Sequence, residues 1–382
     1  MKYDFIIAGG GIAGLTAAIM LQREGFLVTV LEKTDVLKEV GAGLGLGANA
    51  WTVLNRLGVM DDLESASHLL NKIEFLDHNG DKLNTIDISK LNEQYGVAYF
   101  TVHRAKLQIA LAHHLNEGTL QLGKRIVNVS QNMDTITVFL DDGSTMQGNG
   151  LIAADGIHST VRKSLVHNVK LRYAGYTCWR AVVDAPADMY KPGIFTETWG
   201  ANGRMGIVPL ANQKLYWFAC VNSSFQNNEM ARFTTADLAH RFHNYHFPVS
   251  ELMSITKNEN VIQNDVLDVK PLSRFAYHLV LLIGDAAHAT TPNMGQGASQ
   301  GIEDVFALRR ALKNEPTVQK AFVSFERNRL QKTAAMVHRS WRVGKAAQMD
   351  RNPYISIRNT VMRMTPAAML EGSLKYPFRM YY

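Results

Sequence analysis

The chain predicts an α/β protein: a βαβ dinucleotide-binding domain, an interleaved and mostly antiparallel β-sheet domain, and a helical C-terminal segment. Three observations carry this. A glycine fingerprint between a strand and a helix opens the chain, alternating aromatic runs fill its middle, and a second strand–aspartate–glycine–helix block stands near residue 285.

The first element is the short apolar strand Phe5–Ala8. Gly9-Gly10-Gly11-Ile12-Ala13-Gly14 follows with G-x-G-x-x-G spacing at 9, 11 and 14. Leu15, Ala18, Ile19 and Leu21 continue it as a helix, and Gly25 reads as its C-terminal stop. A second strand, Leu27–Leu31, ends in Glu32. Tight turn, helix N-terminus for a pyrophosphate and an acid for ribose hydroxyls make up the dinucleotide unit. Glu32 argues for a free ribose hydroxyl, since it would repel a 2′-phosphate. NAD and FAD both remain open here. No second fingerprint occurs, because Gly295-x-Gly297-x-x-x-Gly301 has one residue too many. One dinucleotide site with oxidoreductase features is met most simply by a resident flavin and a transient nicotinamide. Gly41–Gly47 is too glycine-rich for a stable helix and reads as a loop against a ligand or another backbone.

Thr101–Arg104 precedes a helix-like stretch from Leu107 to Leu115, and Arg104 is a candidate phosphate or adenosine contact. Alternating short strands fill Ile126–Ile152, with Asp141-Asp142-Gly143 as a hairpin turn. They lead to Asp155-Gly156 and to Ser159 at a helix start. Residues 72–100, with an Asn79-Gly80 turn, and 173–270 read as antiparallel sheet rich in aromatics. Leu279–Ile283 is a buried strand delivering Gly284-Asp285. Pro292, Gly295, Gln296 and Gly297 form a loop before the helix of Ile302, Val305 and Phe306. These elements divide the chain into 1–71, 101–172 and 272–331 for the nucleotide, 72–100 and 173–271 for the sheet domain, and a C-terminal helical segment 332–382.

Composition narrows the function classes. The 382 residues are 46% hydrophobic and 19% charged, which fits a globular enzyme rather than a disordered chain. Two separated cysteines, Cys178 and Cys220, give no metal spacing and point to a reducing, cytoplasmic setting. No metal site is expected, and no run of 18 apolar residues calls for a spanning helix. From Arg309 onward, 15 Lys and Arg stand against 4 Asp and Glu. That basic third reads first as a solvated helical face. An acidic membrane surface is the other reading, and no nucleic-acid motif accompanies it.

The ordered blocks Gly9-x-Gly11-x-x-Gly14 with Glu32, Asp155-Gly156-x-x-Ser159-x-Val161-Arg162, and Gly284-Asp285 through Gly297 resemble one family. It is the single-component flavoprotein monooxygenases of the para-hydroxybenzoate hydroxylase fold, and the likeness covers nearly the whole chain. The resemblance implies FAD, with Gly9, Gly11 and Gly14 at its pyrophosphate, Glu32 and the adjacent Lys33 at its adenosine, and Arg104 along its backbone. It implies Asp285 at the ribityl or pyrophosphate region, and Asp155 and Gly156 linked to FAD and NAD(P)H use. Pro292 with Gly295 and Gly297 would line the flavin ring. Gly175-Tyr176-x-x-Trp179-Arg180 and Trp199 through Pro209 look like the family's sheet over the flavin. Tyr176, Trp179, Trp199 and Trp217 are therefore the candidate substrate pocket.

The implied chemistry is hydroxylation of an aromatic or heteroaromatic small molecule through a flavin C4a-hydroperoxide, consuming NADH or NADPH and dioxygen. The protein would supply orientation, electrostatics and dryness. Arg180 is the candidate to hold an anionic or polarised substrate oxygen, with an ion pair as the alternative. His288 is a candidate base, weighed against the stronger reading of a structural imidazole. A monomer or homodimer fits. Two further functions stay open: a flavin-dependent epoxidase or reductase of an isoprenoid or polyene in peripheral contact with a membrane, and a non-catalytic flavin redox sensor. A flavin-dependent halogenase is disfavoured because no W-x-W-x-I-P run occurs.

Overall fold

The computed structural model describes residues 2–37, 42–96, 98–166 and 169–378. Among them the strands form sheets of eight, seven and three strands. Lys2–Ala8 lies at the centre of the eight-stranded sheet, parallel to Val28–Leu31 on one side and to Thr145–Ala153 on the other. Val280–Leu282 adds parallel to Thr145–Ala153. Buried on both faces, these strands read as continuous apolar runs, as a covered parallel sheet requires. Helix Ile12–Arg23 packs on this sheet through Leu15, Ala17 and Ala18, all fully buried.

Close approach explains two of the fingerprint glycines, and Gly9 also needs its positive φ of 101°. A Cβ on Gly14 would stand 2.0 Å from the Gly9 carbonyl, and one on Gly9 would stand 2.5 Å from the Ala154 carbonyl. Gly284 and Gly301 do the same work for helix Gly297–Asn314: a Cβ on either would meet the Ala13 methyl at 3.0 and 3.1 Å. Small residues thus bring the starts of two helices side by side.

The seven-stranded sheet combines Leu171–Asp184, Ile194–Gly200, Gly203–Pro209, Lys214–Asn222 and Ile262–Val269 with Lys72–Asp77 and Lys82–Asp87. Its pairings are antiparallel except for Lys72–Asp77 beside Ile194–Gly200. One face is covered by helices Thr235–Arg241 and Val249–Ile255; the other faces the nucleotide domain across a cavity.

Two expectations need correction. Within Gly41–Gly47, residues 43–46 are a strand, paired antiparallel with Phe100–His103; Gly41 lies outside the described residues. Glycine runs are poor helix formers, but a strand edge held by a partner tolerates them. The boundary at 331/332 falls inside Val318–Ala347, a single helix of 30 residues. Its buried Phe322, Phe325, Arg329, Thr333, Met336, Val337 and Ser340 keep a helical period through that point. Helices Asn352–Met364 and Ala367–Phe378 follow and pack on Lys82–Asp87. No helix of the described residues is long and apolar enough to cross a membrane.

Candidate active site

One cavity of about 1520 Å³ separates the two larger sheets. Ordinary ligand pockets hold roughly 300–1,000 Å³, so this space suits a dinucleotide and a second molecule together. Its floor is backbone. Gly11, Gly156 and Gly295 from three loops and Gly45 from the strand 43–46 all line the cavity, and a Cβ on any of them would meet nothing within 4 Å. Two helices begin at this floor, Ile12–Arg23 capped at Gly11 and Gly297–Asn314 capped at Gln296. Neither has a side-chain cap hydrogen bond or an acidic residue in its first turn. Their first N–H groups and positive ends are therefore left for an anionic ligand.

The floor is held from behind. Arg162, buried, donates to the carbonyls of Ile157 at 2.5 Å and Ala286 at 2.8 Å, joining the Asp155 loop to the Asp285 turn. Gly47 N–H donates to Ser299 Oγ at 3.1 Å, and Asn49 donates to Glu303 at 3.0 Å. Arg329 pairs with Glu303 and, at 2.7 Å, with Asp304, all three almost fully buried. Burial works against the charged form of Asp304. His288 and Arg329 beside it nevertheless hold its carboxyl below the usual range.

The roof is side chains. Cys178, Arg180, Glu197, Trp199, Arg204, Tyr216 and Phe218 all line the cavity from one face of the seven-stranded sheet. Arg204 is buried, 3.3 Å from Glu197 and 2.7 Å from Asn293 Oδ1, with its guanidinium over the Tyr176 and Phe218 rings. Tyr176 donates to the same Asn293 oxygen at 2.9 Å, and Asn293 donates to the Ser340 carbonyl at 2.9 Å. Asn293 thereby ties the floor loop to the roof and to the long helix. Burial pushes the Tyr176 hydroxyl up, so it stays a donor at neutral pH.

Arg180 differs from Arg204. Among the described residues no carboxylate pairs with it. Its proton is held more tightly than usual by the Cys178 sulfur, against the effect of burial. Cys178 and Cys220 stand opposite each other on neighbouring strands. A hydrogen bond with Cys220 leads in holding the Cys178 thiol below its ordinary range; burial opposes it, and Arg180 and Arg204 assist. Burial pushes the Cys220 thiol up.

The sequence candidates distribute as follows. Gly11, Arg104, Gly156, Arg180, Trp199, Asp285, Pro292, Gly295 and Gly297 line the cavity. Gly9 and Gly14 shape the turn behind it. Glu32 accepts from Gly10 N–H at 2.7 Å and Thr34 N–H at 3.0 Å, and Lys33 is exposed next to it. Asp155 accepts from Thr160 N–H at 2.8 Å and Val161 N–H at 3.2 Å, starting a helix, while its Oδ1 is buried without a partner.

Four candidates are misplaced by the sequence reading. Tyr176 does not line the cavity; it is buried with its ring against the Arg204 guanidinium and its hydroxyl on Asn293. Trp179 and Trp217 are not in the pocket. Both point to the opposite face of the sheet, Trp179 stacked on Phe233 at 5.8 Å and Trp217 donating to Thr256 at 2.9 Å. Strand side chains alternate, so the neighbours Cys178, Arg180, Tyr216 and Phe218 take the cavity face instead. His288 is no base at the cavity: it is buried 2.7 Å from Asp304, within the charge cluster under the floor. Arg204, Glu197 and Asn293 were missed. A charge inside an otherwise apolar strand, Gly203–Pro209, is the signal for Arg204.

Residues 2–340 match a family described as an FAD binding domain. The chain belongs to this FAD-dependent hydroxylase family. Among its relatives is the aurachin C monooxygenase/isomerase of Stigmatella aurantiaca, 32% identical, covering 94% of this chain and 93% of that protein. The 2-heptyl-3-hydroxy-4(1H)-quinolone synthase of Pseudomonas aeruginosa is 30% identical, covering 95% and 94%. The crystal structure of Klebsiella pneumoniae HpxO with FAD and uric acid superposes with a TM-score of 0.90 at 25% identity, covering 98% and 96%. The four bare glycines and two uncapped helix starts fit the family's FAD: they leave room for a flat ring and donors for a pyrophosphate. FAD is the cofactor of this family member.

Proposed function

We propose that this flavoprotein monooxygenase hydroxylates an electron-rich heteroaromatic ring that carries an anionic or keto oxygen, and that Arg180 holds that oxygen. The observation that carries this is Arg180, the one cavity-lining arginine of the roof sheet without a carboxylate partner among the described residues, facing the bare glycine floor across the same cavity. Bound FAD supplies reduction by NADH or NADPH and activation of dioxygen for transfer of one oxygen atom.

The chain's own residues do the rest. Gly11 and the N–H groups of Ile12–Arg23 hold the pyrophosphate, and Asp285 accepts from ribityl hydroxyls. Arg104 lies along the dinucleotide, with Glu32 and Lys33 at its adenosine end. The start of Gly297–Asn314 would offer its positive end to the flavin, worth up to about 2 kcal/mol when partly buried. Pro292 and Gly295 would line the space that holds the ring. Arg180 orients the substrate oxygen and stabilises negative charge on it. Tyr216, Phe218 and Trp199 exclude water. Arg204 is occupied by Glu197 and Asn293 and positions the roof over the floor.

The test is NAD(P)H oxidation by the purified yellow protein across phenols, purines, quinolones and tetracyclines, with hydrogen peroxide measured alongside. Stimulated oxidation with little peroxide identifies a substrate. Oxidation that no ring stimulates would overturn the reading.

A further inference from the structure

The cavity continues beyond the arginines into a second compartment of different chemistry. One wall is the cavity face of the roof sheet at Ile73, Phe75 and Ile86; the other is helix Asn352–Met364, through Tyr354, Ile357 and Val361. Those three recur at i, i+3 and i+7, one stripe of a helix. A surface helix normally lays such a stripe on the core. Here Tyr354, Ile357 and Val361 are 56%, 62% and 57% exposed while lining the cavity. The stripe borders open space that is continuous with the site.

The walls are fixed to each other. Asn84 donates to the carbonyls of Met362 at 2.6 Å and Thr365 at 2.8 Å, and Arg363 pairs with Asp77 at 2.9 Å. Arg358, on the same helix and lining the cavity, lies over the Trp199 ring and donates to the carbonyls of Ala347 and Met349. Its charge is satisfied on the wall, which leaves the lumen apolar.

We infer that this compartment binds an apolar chain attached to the substrate's ring, so that the substrate is amphiphilic: a polar planar head at Arg180 and an alkyl or prenyl tail beneath helix Asn352–Met364. The tail covers the stripe that no part of the described chain covers. The placement of the head rests on the hydroxylase reading; the tail compartment rests on its own walls.

The experiment titrates the FAD-loaded full chain, without NAD(P)H, with 4(1H)-quinolone bearing no chain, then with its 2-propyl, 2-heptyl and 2-nonyl derivatives, and reads Kd from the flavin spectrum. Burial of each methylene tightens binding about fourfold at most, and at least a hundredfold gain is expected between no chain and heptyl. Val361→Asp and Ile357→Asp reduce that gain to less than tenfold while FAD content and Tm stay unchanged. Val361→Trp, which fills the compartment without charging it, shortens the longest chain accepted. A Kd independent of chain length, or a slope unchanged in all three variants, overturns the inference. A flat slope together with sedimentation on phosphatidylserine vesicles that Val361→Asp abolishes also overturns it, and makes the stripe a membrane contact. A slope without hydroxylation of any ring overturns the enzyme reading and leaves the tail compartment standing. Hydroxylation of the chainless ring with a flat slope removes the compartment alone.

Discussion

The two faces of the seven-stranded sheet both carry aromatic side chains and are built to different ends. On the helix-covered face, Trp179, Met205, Ile207, Trp217 and Ala219 close against Leu238, Phe242 and Leu252 with almost no exposure. On the cavity face, Cys178, Arg180, Glu197, Arg204, Tyr216 and Phe218 are interrupted by charge and look into open space. A residue in the first set is held by contacts made within the chain. A residue in the second set makes part of its contacts with a ligand. Stability and function are thus carried by neighbours one position apart on the same strand.

Substitutions on either side should separate the two properties. Trp217→Ala, on the packed face, is expected to cost about 3–5 kcal/mol in urea unfolding, with FAD content per folded molecule unchanged. Equal loss of FAD binding would mean the faces are not separable. Arg180→Ala, on the cavity face, should leave unfolding within about 1 kcal/mol. It should cut coupled hydroxylation roughly 10- to 100-fold, the worth of a charged hydrogen bond, with peroxide rising as product falls. Normal hydroxylation by this variant would remove Arg180 from the substrate site.

A third comparison sets the unpaired cation of the roof against the paired cluster under the floor. Asp304 is held below its usual range, so it contributes stability that is full above the unfolded value and is lost as pH falls through the folded one. His288→Gln removes one of the two side chains that hold it down and should move the onset of acid unfolding to higher pH, with activity at neutral pH kept. Loss of turnover with intact FAD would restore His288 as a catalytic group. Smallest, Thr256→Val strips Trp217 of its hydrogen bond on the packed face. About 1 kcal/mol should be lost with no change in substrate Kd.

Much of the framework was legible in the sequence because it is local. Gly9 to Gly14 between a strand and a helix, Asn79-Gly80 and Asp141-Asp142-Gly143 at turns, and Ser159 at a helix start each state their geometry within a few residues. Which face of the sheet meets the ligand is not local. Period-2 alternation separates Tyr216 and Phe218 from Trp217 but gives neither set a direction, and both are aromatic and mostly buried. The helices Thr235–Arg241 and Val249–Ile255 decide it by covering one side. His288 was ambiguous for the same reason: its meaning depends on Asp304, 16 residues on, and on Arg329, brought back by a separate helix. Asn293 has no signature at all, since an asparagine in a loop gains its role only when Tyr176, Arg204 and Ser340 converge on it.

The single parallel pairing in the roof, Lys72–Asp77 beside Ile194–Gly200, belongs to a wider pattern in which early segments wait for late ones. Lys2–Ala8 leaves the ribosome well before the strands beyond it, Thr145–Ala153 and Val280–Leu282. At roughly 5–20 residues per second, residue 282 follows residue 8 by roughly 15–55 s. The glycine fingerprint thus lacks its opposite helix start until residue 297 has emerged. Non-local closure of this kind is slow. Assembly is therefore ordered in time: the two helix starts of the floor can meet only after about 285 intervening residues have been made.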